Sequence, residues 1–319
     1  MKVMDKTISQ ITVPTPFAVG DTHVYLLKGD ILSLVDAGVK TKEAWEALKD
    51  QLNELGYTPA DIEQIILTHH HPDHIGLVDQ FPRVKQIAAH ENVDLWLSRN
   101  ETFFQRYEAF FADFFIKCGV PSEYRDVLKK LRGPLNFAGS GHVDTIMKAG
   151  DPLPGHNDWQ VIDTRGHAQS HLSFLRECDG AFIGGDHLLQ HISSNPLLEA
   201  PVDGGDRPKP MLQYRANLIK CLHLGIRTVF PGHGEVFSDV ASLIPSRLKK
   251  QEQRADHVLT LLKDHPQSIF EICRQIFAKQ YKSQLDLTIS ETTGQLDYLE
   301  DEGLVGKSLE DGVCYYYAK

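Results

Sequence analysis

The sequence is short of cysteine. It has five in 319 residues, Cys118, Cys178, Cys221, Cys273 and Cys314, an odd number with no close pair. That excludes a disulfide framework and points to a reduced, cytosolic chain. Long apolar runs are missing too: no window approaches the roughly 18 consecutive apolar residues of a membrane span, so no membrane partner is expected. The opening Met1-Lys2-Val3-Met4-Asp5-Lys6 does not lead into a signal-peptide core, in keeping with a cytoplasmic expectation. Positive charge is in deficit, 33 Lys+Arg against 43 Asp+Glu for a net charge of −10. Such a chain has no global attraction for phosphate backbones, and nucleic-acid binding would need a local basic patch. Repeats and low-complexity tracts are absent. At 41% hydrophobic and 24% charged residues the composition is that of an ordinary globular protein. The length fits one large domain and a smaller one. One residue type is in excess: sixteen histidines is about twice the usual share for this length.

Short runs rich in Ile, Val and Leu at 8–13, 24–27 and 32–35 read as strands, with Gly29-Asp30 as a hairpin turn. Thr41 caps a helix carrying Trp45, Leu48, Leu52 and Leu55 on one face and stopping at Gly56. Residues 62–67 read as a buried strand running into Thr68-His69-His70-His71-Pro72-Asp73-His74. A polar cluster at a strand's carboxyl end is how α/β proteins place their sites. Residues about 98–150 break the rhythm as a helical insertion, where Phe103, Phe104, Tyr107, Phe110, Phe111, Phe114 and Phe115 recur at helical spacing. Strands resume at 159–164, 172–176 and 181–183; a helix spans 211–224, and a last strand at 228–230 ends in Pro231-Gly232-His233-Gly234. After Pro245, three helices (247–263, 267–280, 288–302) and a hairpin around Glu310-Asp311-Gly312 make a winged-helix pattern. The expected domains are 1–245, which carries the chemistry, and 246–319.

Imidazole nitrogen and carboxylate oxygen are natural ligands of zinc and similar first-row ions. At an extended strand end, residues 69 and 71 point the same way. The turn at Pro72 brings Asp73 and His74 to the same place from another direction. Two histidines can then hold one ion while the Asp–His pair holds a second. Three partners lie far along the chain, each just after an expected strand. They are His167 in Thr164-Arg165-Gly166-His167, Asp186 in Gly184-Gly185-Asp186-His187, and His233 between two glycines. Glycine beside a ligand lets the backbone approach a crowded site and take positive φ. A lone histidine after a strand is usually a core or surface residue, but four such groups in one chain read as a site.

The order His69-x-His71-x-Asp73-His74, His167, Asp186, His233 resembles the metallo-β-lactamase-fold hydrolase superfamily over about residues 10–240. With the C-terminal winged helix, it is similar to the glyoxalase II and ribonuclease-like branch. The resemblance implies an α/β (α+β) fold: a four-layer αββα sandwich with a helical insertion and a dinuclear site at one edge of its two sheets. It implies His69, His71 and His167 as ligands of one metal, Asp73, His74 and His233 as ligands of the other, and Asp186 as the bridging carboxylate. His70 matches no ligand position. True β-lactamases usually carry cysteine at the bridging step, and none of the five falls there. Flavo-diiron relatives carry an acid where this chain has His71. Two divalent ions are expected, zinc ahead of iron or manganese. Asp36, His171 and His187 are candidates for the layer behind the ligands, where such groups fix tautomers, or are ordinary turn residues.

The expected activity is a dinuclear metal-dependent hydrolase using a metal-bridging hydroxide, available because the metal lowers the pKa of bound water toward about 7. Asp73 and Asp186 are ligands first and proton carriers second. The superfamily spans many substrates. A small ester, thioester or lactone is the leading expectation, with single-strand-specific endoribonuclease and mononuclear iron persulfide dioxygenase as alternatives. The stripe of Phe103, Tyr107, Phe110, Phe111 and Phe114 either roofs the site as a substrate lid or packs on a core or across a dimer. A homodimer is the expected assembly. Nucleic acid is disfavoured as a partner. Residues 286–319, holding the expected recognition helix and wing, carry eight Asp/Glu against Lys307 and Lys319 alone.

Overall fold

A computed structural model describes residues 2–3 and 6–319. Its strands are β1 Lys2–Val3, β2 Ile8–Val13, β3 Thr22–Lys28, β4 Leu32–Val35, β5 Gln64–Ile66, β6 Gln86–Ala89, β7 Thr145–Ile146, β8 Pro152–Leu153, β9 His156–Asp163, β10 Leu172–Arg176, β11 Ala181–Gly185, β12 Thr228–Pro231, β13 Gln267–Ser268, β14 Val305–Glu310 and β15 Val313–Ala318. Its α-helices are α1 Lys42–Glu54, α2 Pro72–Ile75, α3 Glu91–Leu97, α4 Glu101–Lys117, α5 Pro210–Cys221, α6 Val240–Leu261, α7 Ile269–Ile276 and α8 Leu285–Asp301. The chain forms two compact units. The first takes the chain up to Asn100, then Gly133–Ser194 and Asn217–Val240; the second takes Glu101–Arg132, Asn195–Ala216 and Ala241–Lys319. None of the described helices is long and apolar enough to cross a membrane.

Two sheets build the first unit, one in the order β1-β2-β3-β4-β5-β6-β7 and one in the order β12-β11-β10-β9-β8. Ile8, Tyr25, Leu27, Val35 and Ile66 of the first meet Trp159, Val161, Phe174 and Ile183 of the second in one core. β10 and β11 are buried along their whole length, as strands covered on both faces are. Thr41 caps α1 by accepting from the Ala44 N–H at 3.1 Å, and the helix buries Ala44, Leu48 and Leu52. It is also stitched to β2, since the Gln51 side chain accepts from the Thr12 N–H at 3.0 Å and donates to the Thr12 carbonyl at 2.7 Å. β4, β5 and β6 run parallel, as do β11 and β12, so their carboxyl ends point one way within each sheet. β4 runs out into Asp36, β5 toward His69, β11 into Asp186 and β12 toward His233, while His167 lies between β9 and β10.

The second unit has its own core. Phe111, Phe114, Phe115 and Cys118 pack with Ile269, Phe270, Ile272, Ile289, Leu296 and Leu299. The aromatic stripe of α4 is thus the buried face of an amphipathic helix: Phe111 and Phe114 lie in this core, Tyr107 and Phe110 pack against it, and Phe103 is buried. The expected insertion therefore divides, since Glu101–Arg132 belongs to this unit and Gly133 onward to the first. Near the expected boundary at 245 the chain is continuous helix; α6 runs through Pro245, which supplies no N–H to the helical ladder. Ser268 and Glu271 form a capping box at the start of α7. The final hairpin turns at Asp311 and Gly312, both at positive φ, and β15 sits between β14 and the short β13, a strand the sequence does not announce.

Candidate metal centre

β5 ends at Ile66, the chain bends at Thr68, and His71, with a φ of −65° and a ψ of 148°, is the residue before α2. Pro72 starts that single helical turn, which sets Asp73 and His74 in its first positions. His69 Nε2 lies 3.0 Å from His71 Nδ1, and His167 Nε2 lies 2.9 Å from the same atom. On the other side, His233 Nε2 is 3.3 Å from Asp73 Oδ2, and His74 Nε2 is 4.0 Å from it. Asp186 stands between, with Oδ1 3.5 Å from His74 Nε2 and Oδ2 3.4 Å from His167 Nε2 and 3.5 Å from His233 Nε2. Three overlapping groups, His69/His71/His167, His69/His74/Asp186 and Asp73/His74/His233, each present ligand atoms within 4.8 Å of one another. All seven sequence-selected donors are in one place.

The residues behind them fix which nitrogen faces inward. Asp36, at a left-handed φ of 63°, accepts from His74 Nδ1 through Oδ2 at 2.8 Å, and from the Thr68 N–H and hydroxyl at 2.8 Å each. The Thr68 oxygen in turn takes the His69 Nδ1 proton at 2.9 Å, so one carboxylate orients two imidazoles. His171 receives the Asp186 backbone N–H on Nε2 at 3.0 Å and holds Thr164 Oγ1 through Nδ1 at 2.8 Å. His187 is buried further back, 6.3 Å from the His171 ring centre to centre. His70 turns away, stacked on Trp96 at 4.2 Å and bonded to Ser170 Oγ at 2.8 Å. Sequence reasoning missed Thr68, Thr164 and Ser170, because a hydroxyl beside a strand end carries no periodic or spacing signal. Tyr25 has a structural use, with its hydroxyl donating to the Pro231 carbonyl at 2.7 Å.

Burial holds His69, His71 and His171 well below the ordinary imidazole range, and neighbouring histidines push the same way. The same burial takes His70 and His187 down to about 3. His74 and His233 go the other way. Burial lowers both, but Asp186 and the other nearby carboxylates outweigh it, raising His74 well above its usual value and His233 to about 10. Burial raises Asp73 and Asp186, yet His74 and His233 prevail and hold Asp73 at about 2 and Asp186 well below the carboxylate range. Two ionised carboxylates in a buried pocket thus draw protons onto two histidines, and a divalent cation would supply the same charge. His74 Nε2, His233 Nε2 and Asp186 Oδ1 are buried without a hydrogen-bond partner. Neutral His69 and His71, ionised carboxylates, and unpartnered inward atoms on His74, His233 and Asp186 fit divalent metal ions.

Glycine makes this convergence sterically feasible. A Cβ on Gly232 would sit 2.2 Å from Asp186 Oδ1 and 2.8 Å from His74 Cε1. Gly232→Ala is therefore expected to push Asp186 off its position, at a cost of about 1–3 kcal/mol for overpacking. A lowered Tm together with reduced metal content would register it; an alanine variant with wild-type values of both would show that the turn can move aside.

Residues 18–233 match the family model of the metallo-beta-lactamase superfamily. The chain is 40% identical over 306 residues to the probable metallo-hydrolase YqjP of Bacillus subtilis, across 96% of each protein. A solved structure, the metallo-beta-lactamase family protein TTHA1429 from Thermus thermophilus, superposes with a TM-score of 0.82 at 27% identity, covering 99% of this chain and 100% of that one. A stretch of 127 residues, 40% of each protein, is 31% identical to the N-acyl homoserine lactonase AttM of Agrobacterium fabrum. The chain belongs to the metallo-beta-lactamase superfamily. Within it, this is a metallo-hydrolase with the metallo-β-lactamase fold, and the His/Asp groups above are its candidate metal-binding residues.

Proposed function

We propose that this metallo-hydrolase holds two divalent ions, zinc in the first place, and cleaves a small ester, thioester or lactone. His69, His71 and His167 would hold one ion and Asp73, His74 and His233 the other, with Asp186 shared. The observation that carries the reading is the position of Asp186, whose two oxygens face His74 on one side and His167 and His233 on the other. Ions there supply Lewis acidity and make a water-derived nucleophile available near neutral pH. The chain's own part is to keep His69 and His71 neutral by burial, to aim His69 and His74 through Asp36 and Thr68, to hold Asp186 through His171, and to provide carboxylates at Asp73 and Asp186 that take up and return the proton for the leaving group. The partial match to a lactonase supports the substrate class.

We further propose that the C-terminal helices and hairpin are a winged helix used as a structural element rather than a nucleic-acid reader. Residues Thr288 through Asp297 of α8 are buried without a break. The chain's own 195–216 segment covers them: Ser290 Oγ donates to the Pro196 carbonyl at 3.1 Å, and Arg207 pairs with Asp297 at 2.5 Å. A helix sheathed in this way offers no free face to a groove.

Metal analysis of protein purified without added zinc, followed by a panel of acyl thioesters, lactones and single-stranded RNA, tests the proposal. About two equivalents of metal and turnover of a thioester or lactone that a chelator abolishes are expected. Cleavage of RNA alone, falling steeply with salt, would replace this reading with the nuclease one.

A further inference from the structure

We propose that His23 is a positioning residue for His233, and that the start of β3 clamps the Gly232–Gly234 turn at three points; this rests on the metal-site reading above. His23 is buried, 6% exposed, with Nε2 2.6 Å from the Gly234 carbonyl. A carbonyl only accepts, so Nε2 carries the proton. Nδ1 is then an acceptor, and two donors from β2 reach it, Thr12 Oγ1 at 3.0 Å and Gln10 Nε2 at 3.1 Å. The ring is thereby locked in one tautomer and one orientation. The second point is the backbone: the His23 N–H donates to the Gly232 carbonyl at 2.7 Å. The third is the ligand itself. His233 Nδ1 donates to the Asp21 carbonyl at 2.8 Å, leaving Nε2 unprotonated when a cation is bound and aimed at Asp73 and Asp186. Thr22, between these residues, forms a β-bridge with His233 and donates to Asp73 Oδ2 at 3.3 Å.

The turn needs this support because of its composition. β12 stops at Pro231, and His233 is flanked by Gly232 and by Gly234 at a φ of +79°. Two glycines leave the backbone with the largest conformational freedom available, which ordering His233 must overcome. A side chain reaching over from β3 to hold the Gly234 carbonyl removes that freedom before any ion arrives. The Asp73/His74/His233 group should depend on His23, whereas the His69/His71/His167 group should not.

Cobalt(II) titration of the metal-free protein, followed by visible absorption, separates the two. His23→Phe keeps a ring but loses the donor. His23→Gln keeps an N–H at similar reach, and Thr12→Val removes the hydroxyl that fixes the tautomer. The wild type is expected to show two binding steps, and His23→Phe to weaken one of them by about 10–100-fold, the range for partners behind metal ligands. His23→Gln should restore most of that loss, and Thr12→Val should weaken the same step in a smaller degree. Thr12→Val carries the test should His23→Phe fail to fold. Two unchanged steps in His23→Phe, equal losses in His23→Phe and His23→Gln, or weakening of both steps together would overturn the proposal. A wild-type protein that takes up no cobalt overturns the metal reading itself, an outcome separable from any of these.

Discussion

Asp186→Ala will abolish nearly all hydrolysis and reduce the metal bound per chain. Among the described residues Asp186 is the one carboxylate that faces both donor groups, within 3.4–3.5 Å of His167, His233 and His74. Removing it leaves His69, His71 and His167 with no anionic companion, and leaves Asp73 as the sole carboxylate among the six remaining donors. Metal sites supply several kcal/mol of transition-state stabilisation, and at tenfold per 1.36 kcal/mol the expected loss in kcat/KM is roughly a thousandfold or more. Asp186→Asn separates charge from shape. It keeps the volume and one carbonyl oxygen, so a loss nearly as large as in the alanine variant is expected if charge is what holds the ions. Retention of full metal content and more than a tenth of the activity by Asp186→Ala would remove the shared-ligand role.

The second large effect is expected at Asp36, which touches no inward-facing ligand atom. Its carboxylate takes the His74 Nδ1 proton and the Thr68 N–H and hydroxyl, and through Thr68 it also fixes His69. It is buried, so removing it strands three polar groups away from water. Asp36→Ala should cost about 3–5 kcal/mol of stability, as the loss of one partner of a buried ionic pair does. The backbone adds to this, since a φ of 63° is left-handed, where alanine is disfavoured by about 1–2 kcal/mol. Asp36→Asn tolerates that conformation and isolates the chemical part. Its amide keeps one acceptor oxygen, so it cannot serve both His74 Nδ1 and the Thr68 N–H, which bond to different oxygens of Asp36, and metal affinity should fall about 10–100-fold. Thermal melts and chelator competition read the two effects separately. An asparagine variant with wild-type metal affinity would reduce Asp36 to a packing role.

Both residues show how far local pattern reaches. Asp186 announces itself by position, after a strand and beside two glycines. Asp36 is legible only as a strand-end acid, because the partners that give it meaning, Thr68 and His74, lie 32 and 38 residues away. Thr68 has no signal of its own. In the same way β6 and β7 complete the first sheet without a strong apolar run to mark them; β7 is two residues long and takes its identity from pairing with β6. The aromatic stripe on α4 was readable as a helix face, but amphipathicity says only that a face is buried and not what it is buried against.

What the amino-acid order determined on its own was the inventory and its sequence: strand ends, the Thr41 cap, the glycines beside Asp186 and His233, and a donor set whose chemistry admits a metal. These follow from short-range causes, namely side-chain periodicity, capping and the conformational freedom of glycine. What only the tertiary structure decided was orientation and company. It decided which imidazole nitrogen turns inward, that His23 reaches the Gly234 carbonyl across 211 residues, and that α8 is sheathed by the 195–216 segment. Such contacts join a side chain to a backbone atom or a distant helix face, and a backbone carbonyl is the same at every position. Only folding brings one particular carbonyl to one particular ring.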